Sequence, residues 1–205
     1  MRTYTIGIDI GGTNTDIGLV DDKGQVLARA NLPTKQYSDE KKYVADIANE
    51  IGKLMKNNGV DAIDGIGIGA PNADYYSGKM LKTVNLNFKN EVDFKALLHN
   101  YFDVPVVVSN DANAAAYGEF VYGGAKKCNH FILFTLGTGV GSGIVIDGRL
   151  VHGFTGLAGE LGHTILIPEG RQCSCGLKGC LETYCSATGI CRTTVEMLDN
   201  TPNYD

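Results

Sequence analysis

The sequence predicts an α/β protein made of two related halves facing a cleft, and three observations predict it. Short apolar segments with strand alternation interleave with segments at helical spacing. The layout strand, Gly/Thr turn, strand at residues 4–32 recurs in "HFILFTLGTGVGSGIVIDGRL" at residues 130–150. Glycine, 27 of 205 residues, gathers at the ends of predicted strands and not in linkers. The first half carries a full set of strands and helices. The second carries its opening strands, a cysteine-bearing loop and one helix. The boundaries that follow are 1–119 for an N-terminal α/β domain and 120–205 for a second, incomplete domain.

The elements follow in order. "TYTIGIDIGG" reads as a buried strand breaking into a glycine turn, and "TDIGLVDDKGQVLARANL" as two strands joined at Asp22-Lys23-Gly24. Residues 39–58 place Tyr43, Ile47, Ile51, Leu54 and Met55 at helical spacing, with a stop near Gly59. "AIDGIGIGAP" is a short strand ending at Pro71, "EVDFKALLHNYF" a helix, "VPVVVSN" a buried strand, and "DANAAAYGEF" a helix that Asn110 caps.

Composition narrows the function. Hydrophobic residues make up 43%, enough for a packed core. A net charge of −5 without a basic stripe argues against nucleic acid. No apolar run is long enough to span a bilayer, and "MRTYTIGIDI" lacks the pattern of a signal peptide. A cytoplasmic location follows, where thiols stay reduced.

Four motifs carry chemistry. "DIGGT", Asp9 to Thr13, follows a strand directly; its glycines let backbone N–H groups approach an anion, and a carboxylate at the strand end suits Mg²⁺. An ordinary hairpin turn is the alternative. "LGTGVGSG" at 136–143 is a second such turn, and it matches neither the Walker loop nor the dinucleotide fingerprint. Two turns in equivalent places suggest two loops closing on one polyphosphate. In "SNDANAAAYGE", Asp111 falls in the first turn of its helix, where the dipole favours the ionised form and a base can act. Plain capping by Asn110-Asp111 is the simpler reading of that stretch alone.

The fourth motif is "GHTILIPEGRQCSCGLKGC". Cys173 and Cys175 are too close for an easy disulfide, and with Cys180 they offer three thiolates on one loop. His163 supplies a fourth ligand for a closed tetrahedral zinc site, with Cys185 a rival for that place. Such a site fixes a loop and does not catalyse. Cys128 and Cys191 read as ordinary buried thiols.

Taken together, "DIGGTNTDIGLV", "GIGIGAP", "NDANAAAYGE", "LGTGVGSGIV", "GLAGELGH" and "CSCGLKGCLE" resemble the ROK family of sugar kinases and repressors, and within it the bacterial glucokinases. The resemblance implies the actin-like (ribonuclease H-like) ATPase fold, two α/β domains with ATP and sugar between them. It implies ATP-dependent phosphorylation of a hexose at its 6-hydroxyl, glucose first, with N-acetylglucosamine, N-acetylmannosamine or fructose as alternatives. Asp111 aligns with the catalytic base. Asn110, Glu160, His163 and Glu182 align with ligands of the sugar hydroxyls. Gly11, Gly12 and Thr13, with Gly137, Thr138 and Gly139, align with the phosphate loops, and Asp9 with the carboxylate near Mg²⁺. His163, Cys173, Cys175 and Cys180 align with a structural Zn²⁺ set, so His163 faces metal and sugar at once. A homodimer is also implied.

The departures are specific. Asn72 stands where many members carry glycine, and "VNLNF" at 84–88 replaces a segment often read N-L-P-W in the sugar-closing region. Asp16 lies close to the first phosphate turn and is expected to point away from it. Members continue past the position of Asp205 into an adenosine-binding segment and a final helix, so the chain reads as truncated at its C-terminus; a sugar-binding protein without catalysis is a third reading. Family repressors carry a DNA-binding module ahead of "DIGGT", and Met1 is only eight residues before Asp9, which disfavours that class.

Overall fold

The computed structural model describes residues 3–81, 87–88 and 91–199. In chain order the elements are β1 (Tyr4–Ile10), β2 (Asn14–Asp21), β3 (Val26–Pro33), α1 (Glu40–Asn57), β4 (Gly65–Gly69), β5 (Ala73–Asp74), β6 (Lys79–Met80), β7 (Val92–Asp93), α2 (Phe94–Leu98), β8 (Val106–Ser109) and α3 (Asp111–Val121). Then come β9 (Phe131–Leu136), β10 (Val140–Ile146), β11 (Arg149–Leu150), α4 (Glu182–Cys185) and α5 (Ala187–Asp199). A five-stranded sheet has the order β3-β2-β1-β4-β8, and a three-stranded sheet the order β11-β10-β9. β1, β2 and β3 pair antiparallel in sequence, as do β9, β10 and β11, so the layout predicted to recur does recur.

The strand period decides which face is buried. Ile6, Ile8 and Ile10 of β1 point into the core while Asp9 takes the opposite face. They meet Tyr43, Val44, Ile47 and Ile51 of α1, and each such aliphatic side chain contributes roughly 1.5–3 kcal/mol when buried. Asp39 caps α1 by accepting from the Lys41 and Lys42 N–H groups. Inside this core Thr15 bonds both Thr34 and Tyr43, and burial pushes the Tyr43 hydroxyl up to about 12, so it stays a neutral hydrogen-bonding group.

Three expectations are corrected. The helix expected over 91–102 is confined to α2, because Val92 pairs with Met80 in a small β5-β6-β7 sheet and the Asp93 side chain caps the Ala96 N–H. β8 is half-exposed at Val107, which shares with Gly67 and Gly7 the sheet face opposite the buried Ile6 and Ile8, while Val106 and Val108 are buried. Cys128 and Cys191 are exposed, not buried.

The topology marks one edge of the sheet as a candidate ligand site. β1, β4 and β8 run parallel, with Asp9, Gly69 and Ser109 in one row near their C-terminal ends. Open α/β sheets bind ligands outside such ends. Asn110 and Asp111 follow directly, opening α3. That helix packs against β4 on one side and β10 on the other. Small residues permit the close approach: a Cβ on Gly69 would lie 3.4 Å from the Asp111 Cα, and one on Gly143 would lie 2.5 Å from the Ala116 Cβ. Gly143→Val is therefore expected to destabilise the chain by about 1–3 kcal/mol through overpacking. Gly7→Ala, with no atom within 4 Å of its new Cβ, is the open-site control. Urea unfolding of both variants checks this, and a Gly143→Val midpoint equal to that of Gly7→Ala would contradict the close α3–β10 seat.

Candidate functional site

Asn110 does cap α3: its Oδ1 accepts from the Ala112 N–H at 2.9 Å and the Asn113 N–H at 3.2 Å. Capping uses the oxygen alone, so the amide NH₂ is left for a ligand as a donor. Asp111 is exposed in the first turn, and its Oδ1 accepts from the Ala112 N–H at 2.8 Å. Burial first, then the charges of Asp111 and Asp16, raise the Asp9 carboxyl above its ordinary value. Asp9 and Asp16 are register partners on one face. Asp16 thus shares the face of Asp9, and its carboxylate accepts from Asn31 Nδ2 at 2.9 Å on the next strand.

This crowding of carboxylates has a sign. A raised folded-state pKa means that the chain binds more protons folded than unfolded, so stability falls as pH rises through the window above the ordinary carboxyl value of 3.8. At pH 7 the ionised Asp9 costs stability. Asp9→Asn is expected to raise stability by on the order of 0.5 kcal/mol, since solvent screens the site. That corresponds to roughly 1–2 °C. The gain should shrink as pH is lowered toward 4. Melting curves at both pH values check it, and a lower midpoint for Asp9→Asn at pH 7 would contradict it.

The two Gly/Thr turns are partly self-closed. Gly11 N–H donates to the Asn14 carbonyl and Gly137 N–H to the Gly139 carbonyl. Neither of those N–H groups is therefore available to an anion without breaking its turn. The second turn is also anchored: Ala187 N–H donates to the Gly137 carbonyl and Thr188 Oγ1 to the Thr138 carbonyl. Glu182 lies beside it, with Oε2 accepting from the Val140 N–H at 3.4 Å.

The cysteine loop folds as the spacing suggests. Ligand atoms of His163, Cys173, Cys175 and Cys180 all lie within 4.8 Å of one another, and this is the only such metal-competent cluster among the described residues. The Cys175 and Cys180 sulfurs are 3.6 Å apart, as are the Cys173 sulfur and His163 Nδ1. Zn–S bonds near 2.3 Å put sulfurs of a tetrahedron about 3.8 Å apart, so the donor set fits zinc. Cys185 is outside the set, its thiol donating to the Leu181 carbonyl. Burial, and then the Glu182 carboxylate it donates to at 3.0 Å, push the Cys173 thiol up to about 12. Three sulfurs this close stay thiolates only beside a cation.

His163 faces two ways. Nδ1 looks toward Cys173 and, at 3.6 Å, toward Glu182 Oε1; Nε2 looks toward Glu160 Oε2 at 4.0 Å. Glu160, His163 and Glu182 are thus gathered around one imidazole. Two further residues hold this assembly and gave no signal in the sequence. Arg171 has its guanidinium on the Thr183 and Gly189 carbonyls, on Thr193 and on Glu196, stacked over Tyr184, which ties the loop to α5. Ser142 Oγ donates to the Gly159 carbonyl and accepts from the Leu161 N–H at 3.2 Å, fastening the segment before Glu160 to β10. Tyr75 stacks on His152 at 3.9 Å, and the Tyr76 hydroxyl donates to the Gly153 carbonyl.

Of the departures, Asn72 sits at φ 51°, in the left-handed region that glycine and then asparagine tolerate best. Phe88 is buried against Tyr43 and faces the core. Residues 84–86 lie outside the described residues.

The ROK family profile matches residues 5–204. The chain belongs to the ROK family. This ROK chain is 38% identical over 197 residues to a glucokinase of Halalkalibacterium halodurans, covering 94% of the chain and 59% of the relative. It is 34% identical over 192 residues to a xylose repressor of Bacillus spizizenii, covering 93% and 50%. The crystal structure of a ROK family glucokinase from Streptomyces griseus in complex with glucose and AMPPNP superposes with a TM-score of 0.78 at 35% identity, covering 97% of the chain and 62% of that one. The fold of this ROK chain is the actin-like α/β fold, and the chain spans about 60% of the length of the curated glucokinases it matches. Among the described residues no helix is long and apolar enough to cross a membrane.

Proposed function

We propose that this ROK protein binds a hexose, glucose in the first instance, and phosphorylates its 6-hydroxyl at the expense of ATP. The observation that carries the reading is His163, with one ring nitrogen turned to the cysteine cluster and the other to Glu160. Its neighbours Glu160 and Glu182 are acceptors for sugar hydroxyls, and Asn110 contributes an NH₂ donor. Asp111 takes the proton of the 6-hydroxyl onto its carboxylate as the oxygen attacks the γ-phosphorus of ATP, and the bond to the β–γ bridging oxygen breaks to release ADP. Zn²⁺ held by His163, Cys173, Cys175 and Cys180 would fix the loop and the imidazole tautomer without joining the chemistry. Mg²⁺ beside Asp9 would neutralise phosphate charge, and the raised Asp9 carboxyl marks a place where a cation relieves repulsion. Gly12, Thr13, Thr138 and Gly139 have backbone N–H groups for the phosphates that Gly11 and Gly137 do not offer. The proposed division of the chain, 1–119 and 120–205, puts α3 beside the cleft, with a homodimer as the proposed assembly in a cytoplasmic setting.

The test is ATP-dependent formation of glucose 6-phosphate by zinc-loaded protein with Mg²⁺, with N-acetylglucosamine, N-acetylmannosamine and fructose run in parallel. Turnover of one hexose supports the reading and names the substrate. The match to a xylose repressor favours a second reading, a sugar-binding ROK module without catalysis. It predicts hexose binding with no phosphate transfer from any of these pairs.

A further inference from the structure

Asn113 is only 2% exposed, and its Oδ1 is buried with no hydrogen-bond partner among the described residues. A buried acceptor without a donor is rare and calls for a reason. The oxygen lies between two backbone segments: it would be 3.3 Å from a Cβ on Gly143 and 3.8 Å from a Cβ on Gly159. Gly159 has φ of +93°, a conformation that keeps side-chain atoms out of this gap. Among the described residues neither Gly159 N–H nor Glu160 N–H donates a backbone hydrogen bond, whereas the Gly159 carbonyl and the Leu161 N–H are both held by Ser142. The segment is thus fastened by Ser142, it carries two backbone donors with no backbone acceptor, and the orphaned Asn113 oxygen lies across the gap from Gly159.

We propose that Asn113 is a positioning residue: its Oδ1 receives a backbone N–H of the Gly159–Glu160 segment when sugar binds, coupling the helix that carries Asp111 to the loop that carries Glu160. The inference rests on the sugar-site reading above. Asn113 is two residues from Asp111, and its own N–H is held by the Asn110 cap, so a pull on its side chain is transmitted to the first turn of α3. Asn113 touches no reacting atom in this scheme. It brings base and sugar ligand into register on binding, and in the free protein it is an acceptor in waiting.

The experiment is hydrogen exchange of the full chain, zinc-loaded, with and without glucose, alongside calorimetric glucose titration of wild type and Asn113→Leu. Leucine is close in volume and removes the orphaned acceptor. The expected result is slowed exchange at Gly159 or Glu160 on adding glucose to wild type. Asn113→Leu should bind glucose about tenfold more weakly, with a melting midpoint equal to or above that of wild type. A purely structural asparagine would lose stability together with binding, and that outcome overturns the inference. Should Asn113→Leu fail to fold, the wild-type exchange decides: unchanged exchange at both amides with glucose bound overturns the Asn113 inference and leaves the sugar site standing. No glucose binding by wild type overturns the glucose-site reading, and the inference with it.

Discussion

Asp111→Asn is expected to lower hexose phosphorylation about 10²–10⁴-fold, the span that a general base contributes, while glucose affinity changes by less than about threefold. The substitution is nearly isosteric. Asparagine keeps an oxygen that can accept from the Ala112 N–H, as Asp111 Oδ1 does, so the first turn of α3 stays capped. Asn110 caps the same turn independently. The variant therefore removes proton acceptance and little else. Steady-state kinetics with a separate glucose titration checks it. A variant that loses glucose affinity and keeps its turnover at saturating sugar would assign Asp111 to binding and not to the base.

The second large effect concerns the cysteine loop. Cys180→Ser is expected to remove bound zinc, from about one ion per chain to a small fraction, because the closed site needs all four donors. Cys180 is fully buried and its sulfur lies 3.6 Å from that of Cys175. The loss should be several kcal/mol in the loop's own stability, below the ~10–16 kcal/mol of zinc-finger peptides, since the core around α1 and β1 does not depend on the metal. Glucose affinity should fall by about tenfold or more, as His163 and Glu182 lose their fixed positions. Cys185→Ser, outside the cluster, should retain its zinc. Metal analysis of both variants, purified without added zinc, checks this. Full zinc content in Cys180→Ser would refute the four-donor site.

Much of the fold was legible because alternation and glycine turns are local signals. β1, β2 and β3, helix α1 with its five predicted inward residues, and the repeat in β9–β11 follow from period and turn chemistry. β5, β6 and β7 were not legible: two-residue strands have no period, and their pairing partners lie up to 14 positions apart. The same pairing shortened α2, since Val92 is engaged before the helix can start. In the candidate site, the proposed metal donors were readable as a set from spacing because ligand chemistry restricts residue type, and the fold gathers His163 with the three cysteines and leaves Cys185 outside. Ser142, Arg171 and Asn113 were not, because their partners are backbone atoms, distant side chains or gaps that only the tertiary fold brings to them. Asn72 shows how one departure resolves: the backbone there needs a positive φ, which asparagine supplies in place of glycine.

In the proposed scheme the cysteine cluster and the helix that opens at Asp111 share one hexose site. Calorimetric titration of glucose into zinc-loaded and zinc-stripped protein tests it most directly. Glucose should bind the zinc-loaded chain with an affinity that weakens about tenfold or more on stripping and returns when zinc is restored. Equal binding with and without zinc, or none to the zinc-loaded chain, would contradict it.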